Sequence, residues 1–209
     1  MMEAILLGAG LSKRMGRQKL LLPFGGKTVI ETVIDNLRGA GFERICAVLS
    51  REVAEALPQL PRGVEARVNE APERGQSSSL AIGLEMLGEG RDFCIMLADL
   101  PLATPEAIAA LARRFDGLPR EKTLLAPCRD GVFGHPMFYR AVWRERFRSA
   151  QGDAGGRKIV ALYESEIERA AAPDCHFKDM DTPEDYAERV KQMEAGAKRR
   201  AGCSAAGLR

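Results

Sequence analysis

The chain opens with an uninterrupted apolar run, EAILLG at 3–8, which leads directly into a glycine-rich loop at 8–16. A run that does not alternate apolar with polar residues is typical of a strand buried on both faces. Such strands occur in parallel sheets, which are covered by helices on both sides. The first residues therefore predict an α/β fold.

The rest of the chain alternates predicted strands with predicted helices. The spacing of apolar residues predicts helices at 28–41, 51–57, 77–90, 105–115, 157–165 and 183–195. Further strands are predicted at 44–50, 64–69, 92–101, 122–128 and 175–180, and 130–158 is expected to be irregular. This alternation is typical of a mostly parallel sheet with helices on both faces.

Length and composition limit the organisation and the setting. The 209 residues suit one domain, expected over 1–195, and 196–209 lacks periodicity and is expected to be a disordered basic tail. A net charge of +2 gives no reason to expect nucleic acid as a partner. We expect no membrane span and no signal peptide. Five scattered cysteines without a C-x-x-C pair predict free thiols and a cytoplasmic protein.

The glycine loop fits neither of two common phosphate-binding patterns. A dinucleotide loop, G-x-G-x-x-G, is matched by Gly8 and Gly10, but Lys13 stands in place of the third glycine. In a P-loop, Gly10 and Gly16 would be five residues apart and Lys-Ser would follow, whereas here they are six apart and Arg-Gln follows. Both interpretations therefore fail on particular residues.

A looser phosphate cradle is a third interpretation of the same loop. Small residues let backbone N–H groups approach an anion. Lys13, Arg14 and Lys19 would then neutralise a triphosphate, Arg through its planar fork and Lys as a point charge. The alternative is a glycine turn followed by a solvated basic segment.

Acidic residues follow two of the predicted elements. Asp99 ends the most apolar predicted strand, and ligands bind beyond the carboxyl ends of parallel strands, so we expect Asp99 and the glycine loop to face one crevice. Asp179 or Asp181 could each reach a metal there. Asp185 lies three residues after Thr182 and is better explained as a capping-box acid.

Several blocks of the chain, taken together, resemble the nucleotidyltransferases that act on molybdopterin. The blocks follow in the family's order and span about residues 3–190. They are LGAGLSKRMGRQKLLLPFGGKTVIE, GQSSSLAIGL (75–84), LADLP (97–101), GVFGHPMFYR (131–140), GDAGGRKIV (152–160) and DMDTPEDY (179–186). Within that family the chain most resembles the molybdenum cofactor cytidylyltransferases. It departs from their pattern at Gly8, where alanine is usual, and at Leu100, where methionine is common.

The resemblance implies a Rossmann-like, three-layer nucleotidyltransferase fold, with a nucleotide half at about 1–100 and a molybdopterin-binding half at about 101–195. It implies that CTP and molybdopterin react, with Mg²⁺ (or Mn²⁺), to give the cytosine dinucleotide cofactor and pyrophosphate. A molybdenum hydroxylase would receive the product. The alternatives are a guanylyl- or sugar-phosphate nucleotidyltransferase of the same fold, or a non-catalytic carrier of the dinucleotide cofactor.

The resemblance also implies residue roles. The positions that match nucleotide-binding residues are Leu7, Gly8, Ala9, Gly10, Ser12, Lys13, Arg14, Lys19, Gln76 and Ser79. Those that match catalytic residues are Arg14, Lys19 and Asp99; Asp99 and Asp181 match the metal ligands. His135 and Asp153 match blocks on the molybdopterin side, although His135 could also be only a turn residue. The guanylyl branch tends to have glycine at Ala9, so this methyl group is expected to favour a pyrimidine base.

Overall fold

The structure confirms the predicted alternation of strands and helices over most of the chain. The computed structural model describes residues 2–57, 59–149 and 156–206, and at Lys13, Ser149, Arg157 and 197–206 it describes the backbone alone. The strands are β1 (Glu3–Gly8), β2 (Pro23–Phe24), β3 (Lys27–Thr28), β4 (Ile45–Leu49), β5 (Val64–Val68), β6 (Phe93–Leu97), β7 (Leu124–Arg129), β8 (Val132–Phe133), β9 (Met137–Tyr139) and β10 (Ile167–Ala170). The helices are α1 (Val29–Gly39), α2 (Arg51–Ala56), α3 (Gln76–Met86), α4 (Pro105–Asp116), α5 (Trp143–Ser149), α6 (Gly156–Ala161) and α7 (Pro183–Ala206).

One mostly parallel sheet organises the molecule. Its strand order is β10-β7-β9-β6-β1-β4-β5, with β8 paired to β7, while β2 and β3 form a separate hairpin. Strands β5, β4, β1 and β6 are parallel, β9 is antiparallel to both of its neighbours, and β10 is parallel to β7. The chain leaves β1 toward β4 on one side and later adds β6 on the other side, so the crevice between the carboxyl ends of β1 and β6 is the topological switch point.

Helices cover both faces of the sheet, as expected for a three-layer α/β fold. Alternate residues of β1 point in opposite directions: Ala4 and Leu6 join the core under α1 and α4, and Ile5 and Leu7 join the core under α3, α5 and α6. This division explains the uninterrupted apolar run, because each face of the strand meets its own layer of helices. Apolar residues of α7 pack against the first core.

The segment expected to be irregular contains β8, β9 and α5. Strand β9 lies inside the sheet, between β7 and β6, but its three residues are too few to show a periodic pattern. The prediction of a strand at 175–180 is wrong. A 3-10 turn, Asp174–His176, occupies that stretch, and the last strand is β10. Strand β10 was missed because it lies at the sheet edge, where its two central residues are charged and not buried.

Three further observations concern the described residues. Helix α7 continues to Ala206, through residues for which we expected a disordered tail; alanine, lysine and arginine, which dominate there, are good helix formers. The described cysteines, Cys46, Cys94, Cys128 and Cys175, are free thiols. Among the described residues, no helix combines the length and apolar character needed to cross a membrane.

Candidate active site

A cleft of about 250 Å³ opens beyond the carboxyl ends of β1 and β6. Eight of the residues that line it were predicted from sequence: Leu7, Gly8, Ala9, Gly10, Lys19, Gln76, Ser79 and Asp99. Four were not: Leu20, Pro72, Gly75 and Leu97. The missed residues supply apolar or backbone surface, and their side chains carry no chemical signal that a sequence pattern could reveal. The predicted crevice is therefore present, and both the glycine loop and Asp99 contribute to it.

Close packing fixes the first turn of the glycine loop. A Cβ atom at Gly8 would lie 3.0 Å from Leu49 Cδ2 and 3.2 Å from Ala98 Cβ, so only glycine fits without a shift of its neighbours. Ala9 follows with its methyl group buried at the cleft. Ser12 then adopts a left-handed conformation with φ 47°, which is uncommon for a residue other than glycine. The loop shape is thus imposed by its surroundings.

Lys19 brings two of the predicted acids together. Its ammonium nitrogen lies 2.6 Å from Asp99 Oδ2 and 2.8 Å from Asp181 Oδ1. The Arg14 guanidinium lies 3.1 Å from the other oxygen of Asp181 and is 76% exposed at its side chain. Residues separated by more than 160 positions therefore form one charged cluster at the cleft.

The electrostatics of this cluster keep Lys19 charged. Burial opposes the charged ammonium, but the carboxylates of Asp99 and Asp181 outweigh that effect and raise the pKa of Lys19. Asp179 is close enough for its own pKa to be raised, first by burial and then by the negative charges of Asp99 and Asp181. Of Asp179 and Asp181, it is Asp181 whose carboxylate forms an ion pair with Lys19.

Asp185 fixes the backbone that carries Asp181. Its carboxylate accepts hydrogen bonds from the backbone N–H groups of Thr182, at 2.9 Å, and Asp181, at 3.2 Å. The Thr182 hydroxyl in turn accepts from the Asp185 N–H at 3.1 Å, which completes the predicted capping box at the start of α7. The Thr182 hydroxyl also donates to the Asp185 carboxylate at 2.8 Å, and this bond is the largest cause of the lowered pKa of Asp185, although partial burial opposes the shift.

The donor set of the cluster fits a hard divalent cation. Asp99 Oδ1 is buried and has no hydrogen-bond partner among the described residues, so one carboxylate oxygen at the cleft is unsatisfied. Mg²⁺ commonly takes one or two protein carboxylates and completes its shell with water and substrate phosphates. Within the described ranges, no group of three or more His, Cys, Asp or Glu residues forms a metal site on its own. Asp99 and Asp181 are therefore suited to an ion that is shared with a substrate.

Asn69 organises the opposite wall of the cleft and was not predicted. Its buried side-chain amide donates to the hydroxyls of Ser78 and Ser79, each at 2.9 Å, and its carbonyl accepts from the Ala71 N–H. Since Ser79 accepts from Asn69, its own hydrogen is left to donate, and no acceptor for it is found among the described residues. Ser79 therefore offers a donor at the cleft, while Gln76 lies exposed at the start of α3.

The predicted second-substrate residues lie partly within the described structure. His135 precedes β9 at the carboxyl-end side of β6, where its Nδ1 lies 3.1 Å from the Ile95 carbonyl oxygen. His176, expected to be structural, is buried, and its Nδ1 lies 2.8 Å from the His135 carbonyl oxygen. Asp153 lies outside the described residues, and Lys13 is described by its backbone alone.

One family model and several curated proteins match this chain. The family model described as a MobA-like NTP transferase domain matches residues 4–170. A probable molybdenum cofactor guanylyltransferase of Mycobacterium bovis is 30% identical over 167 residues, which cover 78% of this chain and 80% of that protein. The bifunctional protein GlmU of Fervidobacterium nodosum is 26% identical over 141 residues, and the match spans 66% of this chain but only 30% of that protein.

The fold is also similar to solved structures. Rv0371c of Mycobacterium tuberculosis superposes with a TM-score of 0.76 at 23% identity, covering 91% of this chain and 97% of that one. The same mycobacterial protein has been solved in complex with manganese. At 23% identity the structural similarity establishes the fold alone. The family is shown by the sequence match to the family model.

Proposed function

The chain belongs to the MobA-like NTP transferase family, and from that premise we propose that it joins CTP to molybdopterin. The products are the molybdopterin cytosine dinucleotide cofactor and pyrophosphate. The observation that carries the proposal is the convergence of Lys19, Asp99 and Asp181 beside the glycine loop at the switch point of the sheet. Cations and carboxylates that meet at one end of a nucleotide-sized cleft suit phosphate chemistry.

The reaction is an in-line displacement at the α-phosphorus of the nucleotide. The terminal phosphate of molybdopterin attacks, and pyrophosphate leaves. Charge builds on the phosphoryl oxygens and the leaving group, so the protein acts by positioning and charge neutralisation. Lys19 neutralises the β- and γ-phosphates from its buried position. Arg14, whose side chain is largely exposed, moves from Asp181 to the α-phosphate.

Mg²⁺, or Mn²⁺ in its place, would be held by Asp99 and Asp181. When bound, it supplies further neutralisation of phosphate oxygens and orients the triphosphate. The unsatisfied Asp99 Oδ1 supports this role, as does the manganese complex of the mycobacterial structural relative. No covalent nucleophile on the protein is required, because the incoming phosphate attacks directly.

Two residues at the cleft support a cytosine base. The Ala9 methyl group narrows the wall next to Gly8 and Gly10, which favours a pyrimidine over a larger purine. The free donor of Ser79 suits the O2 and N3 acceptors of cytosine. His135, which lies beyond the carboxyl end of β6, would contact molybdopterin, and the resemblance implies the same role for Asp153, which lies outside the described residues.

A guanylyltransferase is the second candidate. The relative from Mycobacterium bovis, named a probable molybdenum cofactor guanylyltransferase, is 30% identical in sequence, and the match covers most of both chains. A sugar-phosphate nucleotidyltransferase of the same fold is less favoured, because the GHP (134–136) and GDAGG (152–156) blocks resemble the enzymes that act on molybdopterin. A non-catalytic carrier would have no need of the Lys19–Asp99–Asp181 cluster.

One assay separates these functions. Purified protein is incubated with Mg²⁺, molybdopterin and each nucleoside triphosphate in turn, and pyrophosphate release is measured. Release with CTP alone supports the proposal, and release with GTP alone assigns the guanylyl activity. Absence of turnover with every triphosphate, together with tight binding of the finished dinucleotide, would identify a carrier. Sugar phosphates in place of molybdopterin test the remaining alternative.

A further inference from the structure

The side chain of Gln18 lies beneath the glycine loop and has no role in the proposed chemistry. It is only 8% exposed, although a carboxamide is costly to bury unless its donors and acceptor are paired. The Gln18 oxygen accepts a hydrogen bond from Ser12 Oγ at 2.9 Å and lies 3.5 Å from the Leu20 backbone nitrogen. Its nitrogen lies 3.5 Å from both the Gly10 carbonyl oxygen and Ser50 Oγ.

These contacts tie together both ends of the loop and the neighbouring strand. Gly10 lines the cleft, Ser12 follows it in the glycine loop, and Leu20 lines the cleft next to Lys19. Ser50 stands at the end of β4, where its hydroxyl also caps α2. One carboxamide therefore connects the glycine loop to the rigid sheet beside it.

The conformation that Gln18 holds is not one that the loop would adopt freely. Ser12 has φ 47°, and its hydroxyl both donates to Gln18 and accepts from the Lys19 backbone N–H at 3.3 Å. A residue other than glycine in this region is disfavoured and persists only when its surroundings hold it there. The Gln18–Ser12 bond thus sets the left-handed turn and, through it, the start of the segment that carries Lys19.

We infer that Gln18 is a positioning residue that holds the glycine loop in its nucleotide-binding shape before a nucleotide arrives. Gln18 does not line the cleft and acts through Ser12 and Gly10. A loop that is ordered in advance loses less entropy on binding, so its ligand binds more tightly. The inference rests on the proposed function only in that the cleft binds a nucleoside triphosphate; the base is immaterial.

The test replaces Gln18 with leucine, which has a similar volume but neither donates nor accepts hydrogen bonds. Calorimetric titration with CTP and with GTP is expected to give a dissociation constant about tenfold higher, as for a loop that is competent in about one molecule in ten. At saturating nucleotide kcat should change much less than KM, because ligand restores the competent loop. Hydrogen exchange at 9–20 should accelerate in the nucleotide-free variant.

Two further variants distinguish positioning from general destabilisation. Thr123→Val removes the hydroxyl that accepts from Trp143 Nε1 at the opposite end of the sheet; it should lower the melting temperature but leave nucleotide affinity and loop exchange unchanged. Ser12→Ala should weaken binding, and its combination with Gln18→Leu should be far less than additive, because both break the same bond.

Each outcome bears on the inference. Unchanged affinity and unchanged exchange at 9–20 in Gln18→Leu would overturn it, and so would full additivity with Ser12→Ala. If the wild-type protein binds neither CTP nor GTP, the proposed function fails. Exchange at 9–20 then still decides whether Gln18 holds the loop.

Discussion

Lys19 and Asp99 form an ion pair with a nitrogen–oxygen distance of 2.6 Å, on side chains that are only 12% and 14% exposed. Two charges withdrawn from water in this way depend on each other, because removing one leaves the other poorly solvated. The pair also includes a carboxylate that we assign to a metal ion. We therefore expect the Lys19 ammonium and the proposed cation to compete for Asp99 and Asp181 until a triphosphate, which attracts both, is bound.

Replacing Lys19 with methionine should change metal binding and nucleotide binding in opposite directions. Without the ammonium, Asp99 and Asp181 repel each other, so Mn²⁺ should bind the nucleotide-free variant at least about tenfold more tightly than the wild type. CTP should bind about ten- to a hundredfold more weakly, since a charged hydrogen bond to phosphate is lost. Electron paramagnetic resonance of free Mn²⁺ and calorimetry with CTP measure the two effects.

The matched control is Lys27→Met, because Lys27 forms an exposed ion pair with Asp35 away from the cleft. It should leave both affinities unchanged. Equal Mn²⁺ affinity in the wild type and Lys19→Met would contradict competition between the ammonium and the metal.

Replacing Asp99 with alanine should abolish turnover and leave the fold intact. The fold survives because Lys19 keeps Asp181 as a partner at 2.8 Å. Loss of a preorganised charge at the reacting phosphates typically lowers kcat by about 10²–10³-fold, and here a metal ligand is lost as well. Pyrophosphate release and circular dichroism measure the two properties. Asp116→Ala, at the exposed end of α4, is the control, and near-normal turnover of Asp99→Ala would refute the metal assignment.

Replacing Ala9 with glycine should relax the choice of base. Removing the methyl group widens the cleft wall, so kcat/KM for GTP should rise relative to CTP by about tenfold, the range that one methyl group in an apolar pocket contributes. Competition between CTP and GTP in the pyrophosphate assay measures the ratio. If the wild-type protein already prefers GTP, the interpretation of Ala9 is wrong.

The sequence predicts those elements whose pattern is contained within a few neighbouring residues. The apolar run of β1, the amphipathic α1 and the capping box at Thr182 and Asp185 each carry their signal within a few residues. Strand β9 was missed because three residues between two longer strands hold their place through tertiary pairing alone. The strand at 175–180 was predicted wrongly because apolar residues there are buried without forming regular structure. Met180, for example, lies in a loop and is fully buried, and in the sequence such a residue looks like part of an apolar strand.

Sequence analysis predicted the charged residues of the candidate site but not the buried polar residues that support them. Lys19 was predicted as one of three cations around the glycine loop, and Asp99 as an acid at the end of an apolar strand. Gln18 and Asn69 are ordinary polar residues in sequence. Only the structure reveals that each is buried, with Gln18 paired to Ser12 of the glycine loop and Asn69 to Ser79 of α3. Lys19 also meets the carboxylates directly, a pairing that the spacing of the residues along the chain does not specify.

Replacing Asp185 with alanine should lower both stability and activity, because it frees the backbone that carries Asp181. Loss of a capping interaction costs about 0.5–2 kcal/mol of unfolding free energy. The nucleotide KM or kcat should change by about tenfold through the misplaced carboxylate. Glu31→Ala is the matched control, since Glu31 closes the same kind of capping box with Thr28 on α1. Equal activity losses in the two variants would show that Asp185 has no particular effect at the site.

The stability of the protein should fall in mild acid because of His176. Its Nδ1 lies 2.8 Å from the His135 carbonyl oxygen, which only accepts, so Nδ1 carries the hydrogen and the neutral ring leaves Nε2 as a buried acceptor without a partner among the described residues. Burial lowers the pKa of His176 below its ordinary value of 6.5, although the bond to His135 opposes the shift. The unfolded chain therefore takes up a proton at a higher pH than the folded protein does.

The sign of the pH dependence follows from that difference. Well above pH 6.5 His176 is neutral in both states. As the pH falls through 6.5 the unfolded state gains protons first, so the unfolding free energy decreases until the pH reaches the lower folded pKa. His176→Gln keeps a donor for His135 but does not titrate. Urea unfolding at about pH 7.5 and about pH 5.5 should show a smaller loss in the variant than in the wild type. All other titratable groups are shared by the two proteins and cancel in this comparison, so an equal loss would mean that the buried ring does not govern acid stability.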